Sequence, residues 1–180
     1  MPIHDIRATT KEQIHHNLGY NRHNEAMGGM TMSNNRASSS NVHKDFLING
    51  LGLKQVSNTT IFKKRDVFVL SPSVQNDAFW FDLRKVNVDK FDGNREKGYL
   101  LIRFFNQFLL MDLQEFLNQM VEEDKFAQTT NSGIHWKFKI IKKIDSYKVK
   151  SMINKREIQI PEVNTETLIN LLGRELLPLS

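Results

Sequence analysis

Hydrophobic and polar positions alternate along residues 62–91 in a way that predicts two extended segments joined by a turn. The first is the apolar run 67–70, the sequence Ser71-Pro72-Ser73 interrupts it, and residues 78–86 resume the extended pattern. Because side chains alternate across a strand, the second segment has two distinct faces. One face carries Phe79, Phe81 and Leu83, and the other carries Trp80, Asp82 and Arg84. We expect the two segments to be neighbouring strands, with Asp66 at the start of the first.

The remaining chain predicts further strands with helices on either side. Residues 42–52 have the apolar spacing of a short helix. Residues 99–105 and 108–111 are nearly continuous apolar runs, typical of strands buried on both faces, and form either a hairpin or two adjacent central strands. Asp112 is expected to cap the helix that follows. Residues 158–163 predict an edge strand, because Pro161 cannot donate to a ladder, and residues 165–177 predict a closing helix.

Composition favours one globular domain preceded by a polar arm. The chain has 180 residues, of which 39% are hydrophobic, and this is enough for one core. Residues 1–41 are rich in Asn, Ser, Thr, His and Met, so we interpret them as an arm and residues 42–180 as an α/β domain. Neither a transmembrane run nor a signal-peptide pattern is present, so we expect a cytoplasmic protein without a membrane partner. The absence of cysteine excludes disulfides and thiolate metal sites.

The net charge of +5 favours an anionic partner, and nucleic acid is the predicted one. In the basic stretch 137–156, an extended conformation turns Trp136, Phe138 and Ile140 toward the core and leaves lysines on the open face. A solvated face explains such lysines as well as phosphate binding does, but the overall charge favours binding. Asn and Arg side chains of the arm are suited to reading base edges. The predicted DNA contacts are Lys137, Lys139, Lys142, Lys143, Lys148 and Lys150, together with Asn34, Asn35 and Arg36 of the arm.

Two carboxylates with nearby cations indicate a magnesium site in the paired segments. Asp82 lies about 6 to 7 Å from Arg84 along its predicted strand, and Asp66 would converge on it from the neighbouring strand. Hard divalent ions take carboxylate oxygens, and a cation stabilises the charge that develops on phosphate. We therefore predict Asp66 and Asp82 as ligands of Mg²⁺ and as catalytic residues together with Arg84 and Lys85, with no other small-molecule cofactor. The alternative is an ion pair of Asp82 with Arg84 on a half-exposed strand.

This order of elements and acidic residues resembles the PD-(D/E)xK nucleases, which have the restriction-endonuclease-like fold. In that family an Asp begins the second core strand, and a Glu or Asp followed two residues later by Lys lies on the third. Asp66 and Asp82 match the two acids, whereas Arg84 stands at the position of the lysine, with Lys85 beside it. Arginine stays charged and cannot act as a base, so a second water or a substrate phosphate would take that role.

The resemblance spans residues 42–163 and implies an α/β (α+β) fold in which helices flank a central mixed sheet. It also implies a magnesium-dependent endonuclease that cleaves double-stranded DNA, of the type II restriction kind. We expect a homodimer, since two active sites are needed to cut both strands symmetrically, with the apolar C-terminal helix as the interface.

Three other functions stay open. His15 and His16, the Gly28-Gly29 pair, Asn34 or Asn35, and His43 follow one another in an order that resembles the HNH (ββα-metal) nucleases. That resemblance implies His15 or His16 as the general base and His43 as a metal ligand. A nucleic-acid-binding regulator without chemistry would use the same basic stretch, and its binding would be unchanged by chelation of magnesium. A protein-interaction domain would show no salt-dependent affinity for nucleic acid.

Overall fold

The predicted strands assemble into two sheets in the computed structural model, which describes residues 39–173. The helices within this part of the chain are α1 (39–45), α2 (Lys85–Val88), α3 (Leu113–Met120) and α4 (Thr165–Leu168). π-Helical turns extend α1 over Phe46–Gly50 and α4 over Ile169–Gly173. The prediction of a mixed α+β fold is therefore confirmed, and the strands form two sheets.

Twelve strands are present within residues 39–173. In chain order they are β1 (Lys54–Gln55), β2 (Ile61–Lys64), β3 (Val67–Leu70), β4 (Ser73–Val74), β5 (Trp80–Arg84), β6 (Lys97–Phe104), β7 (Gln107–Asp112), β8 (Ala127–Thr129), β9 (Gly133–Lys142), β10 (Tyr147–Ser151), β11 (Glu157–Ile160) and β12 (Glu162–Val163). Sheet A has the order β1-β2-β3-β6-β7-β12, with β4 also paired to β6. Sheet B has the order β11-β10-β9-β5, with β8 also paired to β9.

Sheet A is a mixed sheet whose central strands are buried on both faces. β6 runs parallel to β3 and to β4, and the other pairs of the sheet are antiparallel. β6 and β7 form an antiparallel hairpin, which is one of the two predicted arrangements. Along β6, Leu100 and Ile102 face one core cluster while Leu101 faces a second cluster. Burial on both faces explains why the sequence of this hairpin is almost continuously apolar.

Two apolar clusters define three layers. The first cluster lies between the sheets and combines Phe68 and Ile102 of sheet A with Phe81 and Phe138 of sheet B. α3 closes this layer, and its Phe116 ring meets the Phe138 ring at a centroid distance of 5.1 Å. The second cluster lies on the opposite face of sheet A, where it is covered by leucines of the α1 and α4 segments. Sheet A is thus flanked by helices on one face and by sheet B on the other.

The expected pairing of residues 67–70 with residues 78–86 is wrong. β3 pairs with β2 and β6 in sheet A, whereas β5 pairs with β9 in sheet B. The difference follows from the two patterns, because a continuous apolar run fits a strand covered on both sides, and an alternating run fits a strand with one solvent face. Between them, β4 and the turn that begins at Asn76 carry the chain from one layer to the other.

The predicted edge strand at residues 158–163 is two short strands, β11 and β12, that lie in different sheets. Pro161 separates them, and its carbonyl oxygen accepts a hydrogen bond from the backbone nitrogen of Leu110 at 3.1 Å. Since proline lacks a donor and fixes its own backbone angle, it ends one ladder and permits the crossing to the next. Both strands remain at sheet edges, as the sequence predicted.

Side-chain caps fix the starts of the two later helices. The Asp112 carboxylate accepts from the backbone nitrogen of Glu115 at 2.8 Å, which confirms the predicted cap of α3. The Asn164 side chain accepts from the backbone nitrogen of Thr167 at 2.8 Å at the start of α4. The closing helix therefore begins as predicted, and residues 174–180 lie outside the described range. Among helices of residues 39–173, none has the length and apolarity needed to cross a membrane.

Candidate functional site

The outer face of sheet B gathers most of the predicted basic residues. β5 alternates between exposed and buried positions, which confirms that Trp80, Asp82 and Arg84 share one face and shows that this face is exposed. On β9 the core positions Trp136, Phe138 and Ile140 are buried as predicted. We name the outer surface the lysine face; its residues are Trp80, Asp82, Arg84, Lys137, Lys139, Ile141, Lys148, Lys150, Glu157 and Gln159.

The strand register places these side chains in rows across the sheet. Trp80 lies opposite Lys139, Lys139 lies opposite Lys150, and Lys150 lies opposite Glu157. Adjacent strands are about 4.8 Å apart, so the row runs about 14 Å from the indole to the carboxylate. A second row pairs Asp82 with Lys137. The lysine face is therefore a continuous strip in which cations from three strands lie side by side.

One carboxylate organises two of the lysines. The Glu157 oxygens lie 3.1 Å from the Lys150 ammonium and 3.5 Å from the Lys148 ammonium. The hydrogen bond from Lys150 is the main reason that the pKa of the Glu157 carboxyl is lowered, and Lys148 adds to it. Glu157 therefore stays ionised at neutral pH and holds both ammonium groups near the middle of the lysine face.

The other cations of the lysine face are less constrained. Within the described part of the chain, no ion pair or side-chain hydrogen bond involves Lys137, Lys139 or Arg84. Asp82 lies opposite Lys137 in the register without an ion pair to it. The predicted in-strand ion pair of Asp82 with Arg84 is likewise not formed among these residues. Five cations thus face two carboxylates on this surface, and an excess of positive charge remains.

The remaining predicted DNA contacts are not on the lysine face. Lys142 lies on the same side of β9 as the core residues Trp136, Phe138 and Ile140. Its ammonium lies 5.9 Å from the centroid of the Tyr147 ring. Lys143 lies in the turn after β9 and is exposed. Asn34, Asn35 and Arg36 lie outside the described residues. Four of the six predicted lysines therefore share one surface.

The two predicted magnesium ligands belong to different sheets. Asp66 lies in the turn between β2 and β3 of sheet A, where its carbonyl oxygen accepts from the backbone nitrogen of Lys97 at 2.7 Å. Asp82 points outward from sheet B, so the two carboxylates do not meet at one sheet edge. Lys85 is engaged elsewhere, with its ammonium 2.6 Å from the Asp89 carboxylate. Within residues 39–173, no group of three or more His, Asp or Glu side chains is arranged to hold a metal ion.

The surroundings of Asp66 nevertheless carry negative charge. Burial raises the pKa of the Tyr99 hydroxyl, and the carboxylates of Asp112 and Asp66 raise it further. Tyr99 lies opposite Asp112 of β7 on one side and opposite Val69 of β3 on the other. We name the side chains of Asp66, Tyr99 and Asp112 the acidic corner. Tyr99 packs against the apolar cluster on the helix-covered face of sheet A, whereas the lysine face is the outer surface of sheet B.

His43, the described member of the HNH-like set, is a buried residue of α1. Its ring lies 4.3 Å from that of Phe108, and its Nδ1 atom is buried without a hydrogen-bond partner among the described residues. Burial lowers the pKa of the His43 imidazole, and the positive charge of Arg103 lowers it further. Both residues are only 7% exposed. The predicted partners His15 and His16 lie outside the described residues.

Four residues of the lysine face were not among the predicted site residues: Trp80, Glu157, Ile141 and Gln159. Trp80 is 43% exposed, and the alternation of β5 already placed it beside Asp82 and Arg84. An outward tryptophan in an alternating strand was therefore the available signal. Glu157 offered no such signal, because its contact with the lysines depends on the β10–β11 register. No protein-family model, no curated protein and no solved structure matches the chain.

Proposed function

We propose that this protein binds nucleic acid, with the lysine face as the surface that contacts the phosphate backbone. The observation that carries the proposal is the convergence of Lys137, Lys139, Lys148, Lys150 and Arg84 on one side of sheet B. Four of these cations lie on the β9–β10 hairpin, and the fold brings Arg84 of β5, which is distant in sequence, onto the same surface. A sheet face needs polar or charged side chains to be solvated, but it does not need five cations against two carboxylates.

The spacing of the cations suits a chain of phosphates. Lys137 and Lys139 lie two positions apart on β9, a distance of about 6.7 Å along the strand, and neighbouring strands are about 4.8 Å apart. A strand of nucleic acid that crosses the lysine face would meet an ammonium group at each of several successive phosphates. Each such contact releases condensed counterions, which is the main source of sequence-independent affinity.

The row through Lys139 and Lys150 supports an anionic partner in a further way. Like charges directly opposite one another on two strands destabilise a sheet. The Glu157 carboxylate offsets the positive charge of Lys150, but Lys139 lies on the side of Lys150 away from that carboxylate. A phosphate seated between the two ammonium groups would remove the repulsion, so binding and sheet stability would favour each other.

The test is salt-dependent binding measured by fluorescence anisotropy with labelled DNA. Removing two phosphate contacts in the double variant Lys137→Ala/Lys139→Ala is expected to flatten the plot of log affinity against log salt by about 1.4 to 1.8 units. The matched control, Lys142→Ala/Lys143→Ala, removes the same charge from positions off the lysine face and should leave the slope nearly unchanged.

Equal effects of the two double variants would contradict the proposal, because affinity would then follow net charge rather than the lysine face. Absence of salt-dependent binding in the unmodified protein would contradict it outright. Circular dichroism of both variants separates loss of contacts from loss of fold.

The magnesium-dependent endonuclease, the restriction-endonuclease-like fold, the homodimer and double-stranded DNA as the target stay predictions. Their support is the resemblance at Asp66, Asp82 and Arg84, and the neighbouring-strand geometry that would have joined the two acids is not present. Cleavage of plasmid DNA with Mg²⁺ and with EDTA tests the activity directly. Cleavage that is lost in both Asp66→Asn and Asp82→Asn would restore the nuclease hypothesis.

A further inference from the structure

Trp80 is the large aromatic side chain of the lysine face. Its side chain is 43% exposed, although tryptophan contributes most to stability when it is buried. The other tryptophan, Trp136, is 4% exposed and donates its indole N–H to the carbonyl oxygen of Glu122 at 3.1 Å. One indole is therefore buried and hydrogen-bonded, whereas the other is exposed beside the cations.

The backbone at Trp80 is held in place by one side chain. The Asn76 amide donates to the Trp80 carbonyl oxygen at 2.8 Å, and the Trp80 backbone nitrogen donates to the Asn76 side-chain oxygen at 3.0 Å. The preceding residue, Phe79, has a φ of 59° and packs its ring against those of Phe104 and Phe105. This left-handed conformation is costly for a bulky residue, and core packing maintains it. The indole is thus attached to a rigid point of the fold.

The register places this indole at one end of the row that continues through Lys139 and Lys150. An aromatic ring next to a track of cations can accept a base on its face while the neighbouring phosphates meet the ammonium groups. The base must be unstacked from its neighbours for this, which is the condition of a single strand rather than of a duplex. A duplex would present phosphates to the lysines but would leave the indole without a partner.

We infer that the lysine face selects single-stranded nucleic acid, with Trp80 as a stacking platform for one base and the Lys139–Lys150 row as the phosphate track. The inference rests on the proposed function and adds the class of nucleic acid. Stacking uses only the face of the base, so the interaction is tolerant of sequence. Single-stranded DNA and single-stranded RNA offer the same chemistry here, and the experiment compares them.

The experiment uses labelled oligothymidylate and oligouridylate of about 16 nucleotides and a duplex of the same length. Anisotropy reports affinity, and tryptophan emission reports stacking. Because Trp136 is buried and hydrogen-bonded, quenching by an oligonucleotide is expected to come from Trp80. Trp80→Ala should weaken single-strand binding on the order of ten- to one-hundred-fold, the range expected for one lost stacking contact, with little change for the duplex. Trp80→Phe should retain part of the affinity and lose the quenching.

Each outcome separates this inference from the proposed function. Salt-dependent binding that is equally tight for duplex and single strand, without quenching, overturns the single-strand inference and leaves the proposed function standing. No binding to any of the three probes overturns both. Since Trp136 is the only tryptophan left in the Trp80 variants, its unchanged emission under excitation selective for tryptophan shows that their fold is intact. Since the thymidylate and uridylate probes differ in the C5-methyl group as well as in the sugar, a preference between them identifies the kind of single strand when oligodeoxyuridylate binds like oligothymidylate.

Discussion

Neutralising Asp82 tests the binding hypothesis and the nuclease hypothesis together, because the first predicts a change in affinity and the second a loss of cleavage for the same variant. Asp82 is one of two carboxylates on the lysine face and lies opposite Lys137 without an ion pair among the described residues. If the surface binds phosphates, Asp82→Asn removes a repulsive charge and binding becomes tighter. If Asp82 holds a catalytic magnesium ion, the same change abolishes cleavage.

The expected gain follows from the sheet geometry. A phosphate seated on Lys137 or Lys139 would lie about 6 Å from the Asp82 carboxylate. Two unit charges at that distance in water repel by about 0.7 kcal/mol, and screening at about 0.1 M salt reduces this to about 0.4 kcal/mol. Two neighbouring phosphates together give about 0.8 kcal/mol, which corresponds to affinity about three- to fourfold tighter. At about 1 M salt the screening length falls to about 3 Å, and the gain should nearly vanish.

The assay is anisotropy with a labelled single strand across a salt series, beside cleavage of plasmid DNA with Mg²⁺. Asp145→Asn is the matched control, since it makes the same change in net charge in the turn between β9 and β10, away from the lysine face. Weaker binding by Asp82→Asn, or an equal gain in Asp145→Asn, would refute the assignment of the phosphate-binding surface. Loss of a magnesium-dependent cleavage seen in the unmodified protein would favour the nuclease instead.

Two further predictions concern the layers that support this surface. Phe138→Ala should lower the free energy of unfolding by about 3 to 5 kcal/mol in a urea titration, because Phe138 is fully buried between the sheets and its ring stacks 5.3 Å from that of Phe81. The control Phe126→Ala, at an exposed position, should lower it by less than about 0.5 kcal/mol. Similar losses in the two variants would contradict the two-sheet core. Burial and the charge of Arg103 lower the pKa of the His43 imidazole, so the unfolded chain binds a proton at this residue more readily than the folded protein. The free energy of unfolding should therefore be highest above pH 6.5, the ordinary pKa of histidine. It should fall as the pH drops below that value, by at most about 1.4 kcal/mol per pH unit. His43→Phe should flatten that dependence in thermal unfolding at several pH values, and an unchanged profile would show that another group is responsible.

The sequence was sufficient for features that depend on local pattern. The alternation of β5 predicted which of its residues share one face, and the Asp112 cap followed from one side chain at the start of an apolar stripe. The inward direction of Phe138 on β9 was predicted by the same period-two rule. These predictions succeeded because each depends on residues within a few positions of one another.

The pairing of strands could not be predicted in this way. Asp66 and Asp82 are close in sequence. The apolar run after Asp66 and the alternating run around Asp82 differ in pattern, but neither pattern identifies its partner strand or shows that the chain changes sheets near Asn76. Short apolar runs are compatible with many partners, and tertiary contacts decide among them. The contact of Glu157 with Lys150 depends on such a pairing too, so the charge balance of the lysine face became apparent only from the fold.

The lysine face breaks two rules that apply to sheets built for stability alone. Lys139 faces Lys150 across the ladder, where an opposite charge or a β-branched residue would stabilise more, and Trp80 leaves a large apolar ring in solvent. Both departures fall in one row, and both are relieved by the same partner, since a phosphate neutralises the lysines while a base covers the indole. Local rules are most often broken where function requires it. The coincidence of the two departures therefore supports this row, rather than the acidic corner around Asp66, as the first target for mutation.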